Sequence, residues 1–143
     1  MIVPDELIYE ATKILQNITI CPPALSQYVA ISCFDDDVLE QLRNNIEIYK
    51  ERMKVLINGL KEMGFKVKEP EGAFYIYADT SKYTDNSLNL VFELLEKIHV
   101  AITPGIDFGE NKTNKFVRFS FCTEKTKIEE ALNLSLIHIS EPT

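Results

Sequence analysis

Apolar residues recur through the first half of the chain at spacings of three and four, the signature of helices with one buried stripe. The longest run, Val38, Leu42, Ile46, Tyr49, Met53, Leu56, Leu60 and Met63, predicts a helix of about 26 residues, roughly 39 Å long at 1.5 Å per residue. Asp36 or Asp37 can cap its start, and Gly64 stands where it should end. Upstream, Pro4 followed by Asp5 and Glu6 suits a first helical turn, and Leu7, Ala11, Ile14, Leu15 and Ile18 fall on one face. That helix must stop before Cys21-Pro22-Pro23, because prolines remove donors and bias the preceding residue away from helical angles. A short, mostly apolar helix from about Ala24 to Phe34 follows.

After Gly64 the period changes to two. Phe65 to Glu69 alternates, Pro70-Glu71-Gly72 turns, and Ala73 to Tyr77 is rich in strand-favouring aromatics, so a strand pair is predicted. Ser87 opens a helix through Leu88, Val91, Phe92, Leu95 and Ile98. His99 to Ile102 reads as a short buried strand, and Pro104-Gly105 as a type II turn with positive φ at the glycine. Lys115 to Phe121 is a strand, and Thr123 or Thr126 begins a last helix with Ile128, Ala131 and Leu132. This order predicts an α+β fold, helices packed on a small, mainly antiparallel sheet.

Composition narrows the class. The 143 residues, 45% hydrophobic and 26% charged, suit one compact domain rather than a disordered segment. Fifteen Lys plus Arg against 22 Asp plus Glu leave a net charge of −7, which disfavours nucleic acid and anionic membranes as partners. Cys21, Cys33 and Cys122 are odd in number and widely spaced among apolar neighbours, so neither a disulfide framework nor a zinc site is expected. With no apolar run of membrane-spanning length and no basic leader, a cytoplasmic location is expected.

Candidate chemistry is sparse. His99 lies at a helix-to-strand junction and reads as structural, and Asp79, Asp85 and Asp107 are turn residues first. There is no Gly-rich phosphate loop, no nucleophile with an identifiable base, and no metal set. Arg118 stands apart, because alternation puts it with Phe116 and Ser120 on one strand face, opposite Val117, Phe119 and Phe121. Either that face is solvated and Arg118 merely projects, or its fork of paired donors is aimed at a carboxylate.

Three pieces in register, Pro70-Glu-Gly-Ala-Phe-Tyr-Ile-Tyr77, Val100-Ala-Ile-Thr-Pro-Gly-Ile-Asp-Phe-Gly109 and Phe116-Val-Arg-Phe-Ser-Phe121, resemble the C-terminal part of class I/II aminotransferases. These are pyridoxal-phosphate enzymes of the aspartate aminotransferase fold. The Cys21-Pro-Pro-Ala-Leu-Ser-Gln27 stretch and the long linking helix extend the resemblance from about Ile2 to about Asn133. It implies that Arg118 binds the α-carboxylate of an amino-acid or 2-oxo-acid substrate. It also implies that Gly72, Phe74, Pro104, Gly105 and Phe108 build the active-site wall, and that Pro22 to Gln27 lies near a dimer interface and the cofactor phosphate.

By the same resemblance, residues 1–35 are the tail end of a large domain and 36–133 form the small domain with its linking helix. The cofactor lysine of a Ser-x-x-Lys stretch would fall upstream of this chain, and nothing around Lys13, Lys50, Lys54 or Lys61 resembles it. Catalytic residues are therefore expected to be none, Met1 to enter the family pattern midway, and the chain alone to be inactive. Apolar surface once buried against the missing large domain should be exposed. Residues 134–143, an alternating apolar run ending near Pro142, are expected to be a non-native tail in which His138 carries no function. The implied activity is transfer of an amino group between an amino acid and a 2-oxo acid via pyridoxal 5'-phosphate in a homodimer. Aspartate, aromatic and alanine-type donors stay open, as does a related lyase or synthase. The alternative is a stand-alone α+β ligand-binding or regulatory domain without catalysis.

Overall fold

The computed structural model describes residues 2–140; Met1 and residues 141–143, the end of the expected tail, lie outside the described residues. Contacts divide the chain into two compact units, one up to Asn44 and one from Asn45 onward.

In the first unit, Pro4 precedes a 3-10 turn at Asp5–Leu7, and only then does α1, Ile8–Ile18, begin. It ends where Thr19 turns to extended angles, with its N–H still donating to the Leu15 carbonyl at 2.9 Å. Pro23 stands at the N-cap of α2, Ala24–Ser32, which is two residues shorter than the expected end at Phe34. Neither helix has a buried residue, and Ile14, Ile18, Leu25, Tyr28 and Ile31 are all exposed. The expectation of exposed apolar surface therefore finds its counterpart here. Helix α3, Asp36–Glu62, starts in this unit. Asp36 and Asp37 occupy its first turn rather than the cap, where their charge still complements the positive helix end.

The second unit holds the remainder of α3, a four-stranded sheet, α4 and α5. Strands β1 (Lys66–Val67), β2 (Tyr75–Asp79), β3 (Thr103–Pro104) and β4 (Phe116–Ser120) lie in the order β1-β2-β4-β3, every pairing antiparallel. One sheet face presents Ile76, Ala78 and Val117, all fully buried, in a core with Met53, Leu56, Ile57 and Leu60 of α3. Val91 of α4 (Ser87–Ile98) and Ile128 of α5 (Lys125–Ser140) complete it. The period of α3 thus predicted its core stripe over Met53, Leu56, Leu60 and Met63, whereas Leu42 and Ile46 of the same stripe are exposed, and Gly64, at φ +87°, follows its last turn.

Two of the expected strands need correction. His99 to Ile102 is not a strand: His99 adopts φ +59° as the left-handed cap of α4, and the N–H groups of His99 and Val100 are spent on the Leu95 and Leu94 carbonyls, both at 3.2 Å. Only Thr103 and Pro104 remain to join the sheet. The strand expected from Ala73 begins instead at Tyr75, because Ala73 sits at φ +59° and cannot pair there.

Helix α5 continues through Ser140 where an alternating run was read. Within it Ser135 is buried and His138 Nε2 lies 3.1 Å from Glu93 Oε1 of α4. Leu132 packs where Gly59 of α3 has no side chain; a Cβ there would meet Leu132 Cδ1 at 2.5 Å. Helices α3 and α5 are further joined by Lys125 Nζ on Glu51 Oε1 at 2.6 Å, which lowers the Glu51 carboxyl and raises the Lys125 ammonium. A lowered carboxylate stabilises the fold above its unfolded value and loses that contribution as pH falls through the folded one. Glu51→Gln should therefore unfold slightly more easily than the parent at neutral pH, the gap closing as pH drops below the ordinary value of 4.5. Denaturation midpoints across that range would show it, and a gap that persists at pH 2 would refute it.

Candidate functional site

The other sheet face carries the candidate site. Register sets Arg118 of β4 between Tyr77 of β2 and Thr103 of β3, with Tyr75 two positions along β2 on the same face. Phe116 stacks on Tyr77 with ring centroids 4.9 Å apart and an interplanar angle of 1°. Phe108 meets the same tyrosine edge-on at 6.1 Å. The Arg118 guanidinium carbon lies 4.1 Å from the Tyr75 ring centroid and 4.5 Å from that of Phe108.

Arg118 is half-buried, yet its hydrogen bond to Thr103 is a long one, Nη2 to Oγ1 at 3.5 Å. No Asp or Glu forms an ion pair with it among the described residues. A guanidinium carries five N–H donors, so most of its fork is uncommitted. Burial pushes the Tyr77 hydroxyl above its usual value of 10.0. The Asp79 carboxylate accepts the Ser81 N–H at 2.8 Å and is lowered by that hydrogen bonding. This is an aromatic platform around one cation, not a solvated polar face.

The Pro104-Gly105 step is not the predicted type II turn. Pro104 is buried in β3 at φ −70°, ψ 148°, and Gly105 opens a 3-10 turn, Gly105–Phe108, without positive φ. Space, not backbone sign, demands the glycine: a Cβ would press on the Thr113 carbonyl oxygen and lie 2.6 Å from that of Phe116 and 2.7 Å from the Tyr77 hydroxyl. Seating this turn so closely is what delivers Phe108 to Arg118. Of the wall residues implied by resemblance, Phe108 reaches the Arg118 guanidinium and Gly105 lies against the Tyr77 hydroxyl, while Pro104 pairs opposite Val117, one register position from Arg118. Gly72 and Phe74 lie elsewhere. Gly72 lines a separate cavity of about 490 Å³ with Tyr49, Met53 and Phe121, and Phe74 stacks on Tyr49 at 6.3 Å, reaching the site only through its contact with Tyr75.

Tyr75, Tyr77 and Thr103 were missed as site residues, because only strand register places them beside Arg118; Phe116 was legible from alternation alone. His99 lines another cavity of about 330 Å³ that is walled by Leu56, Phe65, Leu94 and Leu132, away from the platform. The three cysteines are exposed and unpaired. No helix among the described residues is long and apolar enough to cross a membrane.

Residues 1–134 match the family described as aminotransferase class I and II. The chain belongs to the class I and II aminotransferases. The extent agrees with the resemblance read from Ile2 to Asn133. The chain is 40% identical over 133 residues to a valine–pyruvate aminotransferase of Mycobacterium tuberculosis, covering 92% of this chain and 34% of that protein. An aspartate aminotransferase of Pyrococcus horikoshii is 33% identical over 138 residues, 93% of this chain and 34% of the relative. Among solved structures, an aminotransferase from Mycobacterium tuberculosis superposes with a TM-score of 0.90 at 37% identity, covering 96% of this chain and 36% of that one. The chain spans about a third of the length of the curated relatives it matches. Helices on a four-stranded antiparallel sheet are thus one part of the aspartate aminotransferase fold.

Proposed function

We propose that this chain is the substrate-gripping part of a pyridoxal-phosphate aminotransferase that moves an amino group between an amino acid and a 2-oxo acid. Arg118 binds the α-carboxylate of both. The observation that carries this reading is a half-buried guanidinium set over Tyr75 and Phe108 with most of its donors unspent and no acidic partner among the described residues. A carboxylate accepts two parallel N–H bonds in the guanidinium plane, which fixes both the position and the orientation of the carbon it is attached to. Amino acid and 2-oxo acid share that group, so one arginine serves both directions of transfer. Its contribution is placement, not proton movement.

The cofactor, implied by the family, is a poor fit to this chain's own amines. A lysine that bonds a carbonyl group covalently works as a desolvated, unpaired amine. Lys50, Lys54 and Lys127, which line the two cavities, are instead all exposed to water, and Lys50 and Lys127 are engaged by Glu47 at 2.6 Å and Glu130 at 2.8 Å. We assign the cofactor lysine to the remaining two thirds of the complete enzyme. Borohydride treatment of this chain with pyridoxal phosphate should therefore yield no stoichiometric adduct at one lysine; a single-site adduct by mass spectrometry would overturn that assignment. The exposed apolar side chains of α1 and α2 support their burial against the rest of the complete enzyme, which we take to be a homodimer of the cytoplasm.

The deciding experiment replaces Arg118 in the complete enzyme and reads the change in KM for amino-acid donors. Unaltered kinetics would discard the role given to it.

A further inference from the structure

We propose that Tyr75 and Phe108 are positioning residues that clamp the Arg118 guanidinium by its faces and leave its donor edge free for the substrate. This rests on the carboxylate-binding role of Arg118. The guanidinium carbon lies 4.1 Å from one ring centroid and 4.5 Å from the other. A cation over an aromatic ring is attracted to the face of the π-system, whereas a carboxylate hydrogen-bonds to a guanidinium in its plane. The two demands do not compete, so the rings can hold the cation without spending the donors that the substrate needs.

The protein gives Arg118 little else to hold it: the Thr103 hydroxyl is 3.5 Å away, at the limit of a hydrogen bond. A long side chain with no ion-pair partner would otherwise sample many rotamers, and each substrate would have to arrest it. The clamp's halves have different origins. Tyr75 is fixed by β2, whose five residues all pair with β4. Phe108 is the last residue of the 3-10 turn that the tight seat of Gly105 positions, and it is 48% exposed.

The test uses the complete enzyme with L-alanine, L-valine, L-aspartate and L-phenylalanine as donors, reading KM and kcat on the best of them. Phe108→Leu and Tyr75→Leu should each raise KM about 3- to 30-fold, with a smaller change in kcat, the range expected for one lost cation–π contact. Tyr75→Phe and Phe108→Tyr keep a ring and should restore KM to within about twofold. In an Arg118→Leu background the ring removals should add nothing further, because their partner is gone. If Arg118→Leu raises KM but neither ring removal does, or if ring removal costs as much without the arginine, the clamp is wrong and the carboxylate role stands. If Arg118→Leu itself leaves KM unchanged, the carboxylate role falls. Phe108 is exposed enough that its truncation carries the test even where Tyr75→Leu fails to fold.

Discussion

Arg118→Lys in the complete enzyme should raise the KM for amino-acid donors by about 10- to 100-fold, and that for 2-oxo acids by a similar factor. The substitution keeps the charge, so the loss comes from geometry. Lysine offers a point charge with three rotatable donors and cannot present two parallel bonds to a carboxylate. One charge-assisted bond is worth about 1.5–3 kcal/mol, and each 1.4 kcal/mol is a factor of ten. The ammonium also forfeits the stacked seat over Tyr75 and Phe108. Steady-state kinetics with both substrate types would measure it. Equal effects in the two directions are the informative feature, because only a group shared by amino acid and 2-oxo acid produces them. A loss confined to one substrate would point to contact with the amino group or the side chain instead.

The second large effect is on stability. Gly105→Ala should destabilise the chain by about 1–3 kcal/mol, because its new methyl meets backbone carbonyls of Thr113 and Phe116 that have no rotamer to yield with. Gly72→Ala, where nothing lies within 4 Å of the added atom and φ is not positive, should change stability by no more than about 0.5 kcal/mol. Denaturant midpoints of the two variants decide the matter. Equal values would mean that the turn relaxes freely. Because this turn carries Phe108, Gly105→Ala should also weaken donor binding wherever the variant still folds, a secondary loss that Gly72→Ala does not share.

Much of this was legible in the sequence, and the failures have common causes. The three-and-four spacing of α3 needs no partner to be read, since a long amphipathic stripe reports its own buried side. Alternation in β4 likewise showed that Arg118 and Phe116 share a face. Tyr75 and Tyr77 were read as part of a strand but not as Arg118's neighbours, because the pairing of β2 with β4 is set by contacts some forty residues apart. Pro104-Gly105 misled for another reason. The dipeptide matches a turn template, but the small residue was selected for close approach by Thr113 and Phe116, a tertiary demand that local pattern does not express. His99 failed similarly: a strand-like apolar run followed it, yet its backbone was already committed to closing α4.

The register of β4 has one more consequence. Arg118 alternates with Val117 and Phe119, and of these Val117 is fully buried while Phe119 packs against the core. Slipping the strand by a single residue would drive the guanidinium inward and turn the apolar pair out to water, at a cost no misfolded copy could carry lightly. The binding group therefore has a built-in assembly check: a chain that has sorted its interior correctly has, by the same act, aimed its arginine.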